Sequence, residues 1–147
     1  MTAVVGVLVL AALVVLVLTR TLGGDEETAR PQQTVTTLQV PALAAGRCVA
    51  VSAQTLGQAD TAFDGEVTEV ADGTATLRVS HWFAGPGTDL VTVEAPGGDQ
   101  RLLEQAVDFQ KGGRFLVSAQ SSRVRICGLS GAYSPELAAL FDEAFGG

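Results

Sequence analysis

The sequence predicts a mainly β domain, a five-stranded Greek-key barrel with a C-terminal helix, standing behind an N-terminal transmembrane helix. Three observations carry this expectation. The first 19 residues are apolar and carry no charged side chain; five short alternating runs, separated by Gly-, Pro- and Asp-containing turns, follow between residues 61 and 127; and a helical pattern opens at Ser134-Pro135.

Taken in order, "MTAVVGVLVLAALVVLVLT" is long enough as a helix to span roughly 28 Å, close to the hydrocarbon thickness of a bilayer. A cleaved signal peptide needs a basic n-region, a shorter apolar run and a small-x-small site beyond it. Here no Lys or Arg precedes the run and "TRTLGG" offers no such site, so residues 1–22 read as a membrane anchor or uncleaved signal. Lipoprotein processing at Cys48 is rejected, because Arg47 stands where a small residue is wanted. Arg20 and Arg30 lean towards a cytoplasmic C-terminal part by the positive-inside rule. The cysteines lean the other way: Cys48 and Cys127 are the only two, they bracket the folded part, and such a pair fits a staple in an oxidising compartment. The cysteines outweigh two arginines, giving a single-pass protein of the cell membrane with its C-terminal domain extracytoplasmic.

Residues 23–47 are rich in Gly, Pro, Thr, Gln and charge with no sustained period, and read as a flexible linker in which "TVTTLQV" is a possible extended piece. The folded domain is expected over residues 48–147. "TAFDGEVTEV" (61–70) alternates Phe63, Gly65 and Val67 against Asp64, Glu66 and Thr68, and breaks at Asp72-Gly73, a favoured hairpin turn. Gly65 reads as a bulge or a close backbone approach. "TATLRVSHWF" (74–83) places Leu77, Val79, His81 and Phe83 on one face and Thr76, Arg78, Ser80 and Trp82 on the other. "AGPGTD" reverses the chain, "LVTVEA" (90–95) resumes it, and "PGGD" ends it. Residues 100–112 place Leu102, Leu103, Ala106 and Val107 on a short helical face or a loop. "GRFLVSAQ" (113–120) and "RVRIC" (123–127) are the fourth and fifth strands. Ser134 is an N-cap with Pro135 at the first helical position, and Leu137, Leu140, Phe141 and Ala144 recur at helical spacing. A closed barrel is the economical arrangement of five such strands, because closure removes exposed edges.

These runs resemble the netrin-like OB-fold modules of tissue inhibitors of metalloproteinases, most closely the small bacterial members. The likeness lies in Ala59-Asp60 with Phe63, Gly65 and Val67; Trp82 then Gly85; Val91 and Val93; Gly113 with Phe115, Leu116 and Val117; and Cys127-Gly128 after a leading Cys48, about 80 of the 147 residues. It implies an OB-like barrel whose N-terminal segment Cys48 ties to the region of Cys127, a closure worth roughly 4 kcal/mol on the chain-entropy estimate. It does not carry over the inhibitory mechanism. In the animal inhibitors the free amine of a leading Cys-x-Cys chelates the target's zinc, whereas Cys48 follows 47 residues and is followed by Val49 and Ala50. Cleavage after Arg47 would be needed to expose that amine.

Residues with chemistry are few. His81 is the only histidine, and without a G-x-S-x-G elbow it reads as a packed or rim histidine rather than a hydrolase base. One His and two distant Cys fall short of a zinc ligand set, and no calcium loop is present, so no metal, cofactor or catalytic residue is expected. Trp82 is either a partner contact or a lid over the barrel end. From Cys48 onward thirteen acids face six bases, which accounts for the net charge of -7 and argues against the nucleic-acid binding that an OB-fold would otherwise invite. Arg123 and Arg125 form the one local basic patch. The leading expectation is a non-enzymatic, membrane-anchored module that meets a protein partner through Cys48, Val49, Ala50 and Trp82. A metalloproteinase inhibitor processed at Cys48, and a hydrolase using His81, are the alternatives.

Overall fold

The computed structural model describes residues 32–42 and 48–146. The anchor expected over residues 1–22 lies outside them, and among the described residues no helix is long and apolar enough to cross a membrane. The fold is mainly β: seven strands in one sheet, with a C-terminal helix. The strands are β1 (Val35–Gln39), β2 (Thr61–Ala71), β3 (Thr74–Ala84), β4 (Leu90–Glu94), β5 (Arg114–Gln120), β6 (Arg123–Val124) and β7 (Gly131–Ala132). The helices are α1 (Ala53–Leu56), α2 (Gln100–Ala106) and α3 (Pro135–Phe145).

The sheet order is β2-β3-β4-β1-β6-β5-β7, and β2 also pairs with β5, so the ladder returns to its first strand. All neighbours are antiparallel except β1, which runs parallel to β4 and β6. The expected hairpin of β2 and β3 forms with Asp72 and Gly73 at positive φ, as a primed two-residue turn requires. Ser121 and Ser122 make a second such turn between β5 and β6.

Two apolar clusters flank the sheet. Phe63, Val67, Leu77, Val91, Val93, Phe115 and Val117 form the larger one, which Leu103 and Val107 of the α2 segment close. On the opposite face α3 lays Phe141 over Ala62 and Leu116, together with Leu56 of α1 and Leu129. Ser134 caps α3 by accepting a hydrogen bond from the Leu137 amide (3.1 Å), and Pro135 occupies the first turn, as the sequence predicts.

Two expectations are corrected. The stretch read as linker contains a strand of the sheet: β1 pairs with β4 along its whole length, and Leu38 and Val40 are 1% and 2% exposed in the core. The fifth strand stops at Val124, and Cys127 itself takes a positive φ (62°) that an extended strand does not allow. A two-residue strand, β7, also joins the edge of β5, over residues to which the sequence pattern assigns no element.

The face assignment of β3 is also revised. Phe63 pairs with Trp82 and Asp64 with His81, but Gly65 pairs with Val79, so Ser80 is an extra residue and β3 is bulged there. The bulge inverts the alternation. Trp82 therefore joins Val79 against the larger cluster, while His81 and Phe83 turn to the face under α3. Gly65 lies at the bulge, and a Cβ there would stand 2.9 Å from the Arg78 carbonyl oxygen, so the close approach expected of this glycine is real.

If β1 belongs to the core as described, Leu38→Ala will cost about 2–5 kcal/mol in urea unfolding. A substitution in a solvated linker would leave the midpoint unchanged.

Candidate functional site

The cysteines are joined: Cys48 and Cys127 form a disulfide with Cα atoms 5.8 Å apart and a sequence separation of 79. Each side of the bridge has a local cause. On the Cys48 side, Ser52 begins α1 by accepting the Thr55 amide (3.1 Å), and α1 is pinned by Leu56, which is fully buried under α3. Residues 48–51 run into that cap as an exposed segment, with Val49 and Val51 53% and 50% exposed. On the Cys127 side, Gly128 has φ +85°, and a Cβ there would meet Val51 Cγ2 at 3.2 Å. A side chain at 128 would therefore combine backbone strain with a collision against the segment. The guanidinium of Arg125 donates to the Thr55 carbonyl and ties the β6 end to α1. Three of the expected contact residues, Cys48, Val49 and Ala50, thus lie together on the surface.

Trp82 lies apart from them in the fold, turned inward by the bulge. Its ring packs against Phe63 with centroids 5.2 Å apart, and Nε1 donates to the Thr88 carbonyl (2.9 Å). Half-buried and with its polar atom engaged, it packs against the larger cluster. His81 is exposed, its ring edge-on to Phe83 at 4.6 Å. Among the described residues no hydrogen bond joins it to a hydroxyl or a carboxylate.

A charged cluster escaped the sequence reading. Asp64 is 4% exposed on the α3 side of β2. Nε of Arg114 donates to both its carboxylate oxygens (2.9 and 3.0 Å) and Nη2 donates to Oδ2. The Arg114 guanidinium also stacks 3.9 Å from the Tyr133 ring centre. Its hydrogen bonds to Asp64 hold the Arg114 pKa above the ordinary value. No motif marks this pair. The available signal was indirect: an amphipathic C-terminal helix must cover an outer sheet face, and Asp64 alternates onto that face with Ala62. Beside it lies an open groove of about 550 Å³ between the residue 106–113 loop and β7, lined by Val107, Asp108, Gln110, Arg114 and Phe115 among others.

Just before β4, Asp89 accepts hydrogen bonds from the Thr34 amide and hydroxyl (both 3.0 Å), which hold its carboxyl below the ordinary value. Among the described residues no cluster of three His, Cys, Asp or Glu side chains is placed to hold a metal ion. The chain matches no protein-family model, no curated protein and no solved structure.

Two outcomes follow from these geometries. Removing Arg114 alone leaves the Asp64 side chain, 6% exposed, without its cation, so Arg114→Met will destabilise more than the double variant with Asp64→Asn, as read from a urea double-mutant cycle. Asp89 is depressed by its bonds to Thr34, so their contribution is complete above the unfolded carboxyl pKa and fades as pH falls through the folded value. In a carbon-detected acid titration Asp89 will protonate below 3.8, with the Thr34 amide moving in step and Thr34→Val erasing the difference.

Proposed function

We propose that this chain is a membrane-anchored, extracytoplasmic binding module without catalytic chemistry, built on a netrin-like, OB-like barrel. It presents residues 48–51 to a protein partner. The ladder that returns from β5 to β2, with α2 at one end of the larger cluster, supports the barrel reading. The apolar, charge-free residues 1–19 support the anchor, and the joined cysteines support an oxidising compartment.

The observation that carries the partner surface is the exposed segment itself. Val49 and Val51 stand half-exposed on a stretch with no backbone hydrogen bond among the described residues, held at its start by the disulfide and at its end by the α1 cap. Such a segment is already ordered, so a partner that covers it avoids much of the entropy of fixing a free chain. The net charge of -7 speaks against nucleic acid as that partner.

The same exposure favours one second reading. Cys48 is held by its sulfur rather than by its backbone, so cleavage after Arg47 would free its amine while leaving the segment in place, as the inhibitory mechanism of the resembling family requires. N-terminal sequencing of the native protein separates the two readings.

With a photo-crosslinking residue at position 49 or 51 of the full chain in its native membrane, one discrete adduct is expected, absent when the same probe sits at Glu69. Val49→Asp with Val51→Asp will weaken that adduct at least tenfold at unchanged melting temperature, each valine contributing about 1 kcal/mol of buried apolar surface. Equal adducts from Glu69, or none from either valine, would remove the segment as the contact.

A further inference from the structure

We propose that the open edge of β1 is a strand-addition site for an extended, cationic segment of a partner protein. The inference goes beyond the segment at residues 48–51 and stands whether or not that segment meets a partner.

The register fixes which way each backbone group of β1 points. Leu90 donates to the Thr34 carbonyl and Val40 donates to the Glu94 carbonyl, so the even-numbered residues of β1 turn their N–H and C=O towards β4. Val35, Thr37 and Gln39 turn theirs the other way. On that side Gln39 is taken up, its amide donating to the Ser122 carbonyl and β6 pairing with it at Arg123. β6 reaches no lower. Among the described residues, nothing bonds the N–H and C=O of Val35 or of Thr37.

Such an edge usually carries a defence: a lysine, a proline, a bulge or an inward charge. The sequence Val35-Thr36-Thr37-Leu38-Gln39 has none, and its register with β4 is unbroken. It is rich in β-branched residues, which suit an added strand, and Val35 stands 51% exposed beside the free groups. The ladder positions above are taken by β6, so the site accepts a short extended segment along Thr34 to Leu38 and stops it below Arg123. Main-chain hydrogen bonds supply the affinity in this mode, and alternate side chains supply the choice of partner.

Charge identifies the occupant. The domain carries thirteen acids against six bases. Asp60 lies on the open side, accepting from the Ser121 amide at the turn whose next residue binds Gln39, and Asp89 is tied to Thr34 at the lower end. Arg123 is the opposing charge, at the upper end, so the positive residues of the added strand belong towards Thr34. A second copy of this chain would bring another net charge of -7 to the same edge, which the electrostatics oppose.

The test uses isotope-labelled full-length chain in zwitterionic bicelles, titrated with an octapeptide of alternating lysine and valine and, separately, with its glutamate-valine counterpart. The lysine peptide is expected to move the Val35 and Thr37 amides, slow their hydrogen exchange, and bind more weakly as salt rises, while the glutamate peptide binds at least tenfold less tightly. Thr37→Pro removes a donor that makes no bond within the described sheet, so it will weaken binding at least tenfold with the core spectrum kept, whereas Thr37→Ala will bind as the parent does. Should Thr37→Pro disturb the core spectrum, Val35→Pro at the first strand position carries the same expectation. Shifts confined to residues 48–51 or to α3, equal binding of both peptides, or undiminished binding to a folded proline variant would overturn the proposal. Concentration-dependent changes at Val35 and Thr37 without peptide would assign the edge to a second copy instead.

Discussion

β2 is bonded along both of its edges, and this double pairing organises the molecule. From Thr61 to Glu66 it lies against β5, and over Ala62 to Ala71 it lies against β3. Over five consecutive residues, Thr61 to Gly65, it is also buried on both faces. Phe63, Gly65 and Val67 look into the larger cluster; Ala62 and Asp64 look out beneath α3. α3 supplies the outer cover over Ala62 and Leu116, and Asp64 is covered instead by Arg114, whose guanidinium stacks on Tyr133. A buried carboxylate is tolerable only with its cation and hydrogen bonds in place, which Arg114 supplies from the neighbouring strand.

The bulge at Ser80 lies opposite the same stretch of β2. Gly65 brings β2 so near β3 that no Cβ fits against the Arg78 carbonyl, and one residue further on β3 carries a residue that β2 lacks. The consequence is a change of face within a continuous strand. Below the bulge the larger side of the sheet is completed by Trp82 rather than His81, and an indole with its N–H satisfied by Thr88 suits a half-buried position better than an imidazole. His81 is left at the surface beside Phe83. Strict alternation, applied across "LRVSHWF", has no means of detecting an inserted residue, because the signal for it lies in the partner strand.

This marks where the sequence was legible. Elements set by local chemistry were readable: the Asp72-Gly73 turn, the Ser134-Pro135 helix start, and strands β2 to β5, whose periods and punctuation lie within a dozen residues. Elements set by distant partners were not. β1 pairs in parallel with residues about 55 positions away, and "TVTTLQV" is polar enough on alternate positions to resemble extended linker; only its placement beside Val91 and Val93 makes Leu38 and Val40 core residues. β7 is two residues long and has no period at all. For the candidate site the disulfide was readable from two cysteines bracketing a domain, whereas the exposure of Val49 and Val51 depends on where α1 docks.

The disulfide and the sheet then have separate roles. Every strand neighbour in the ladder is held by backbone hydrogen bonds, and the bridge joins none of them: Cys127 lies beyond β6 and Cys48 precedes α1. What the bridge constrains in the folded state is the short run leading into Ser52. Its stabilising effect on the domain acts through the unfolded chain, where closing so long a loop restricts conformations regardless of which folded contacts lie nearby. The link thus stabilises the whole domain while fixing, in the folded state, four surface residues that have no backbone hydrogen bonds of their own among the described residues. His81 and Trp82, by contrast, are positioned by the strand they belong to and owe nothing to the bridge.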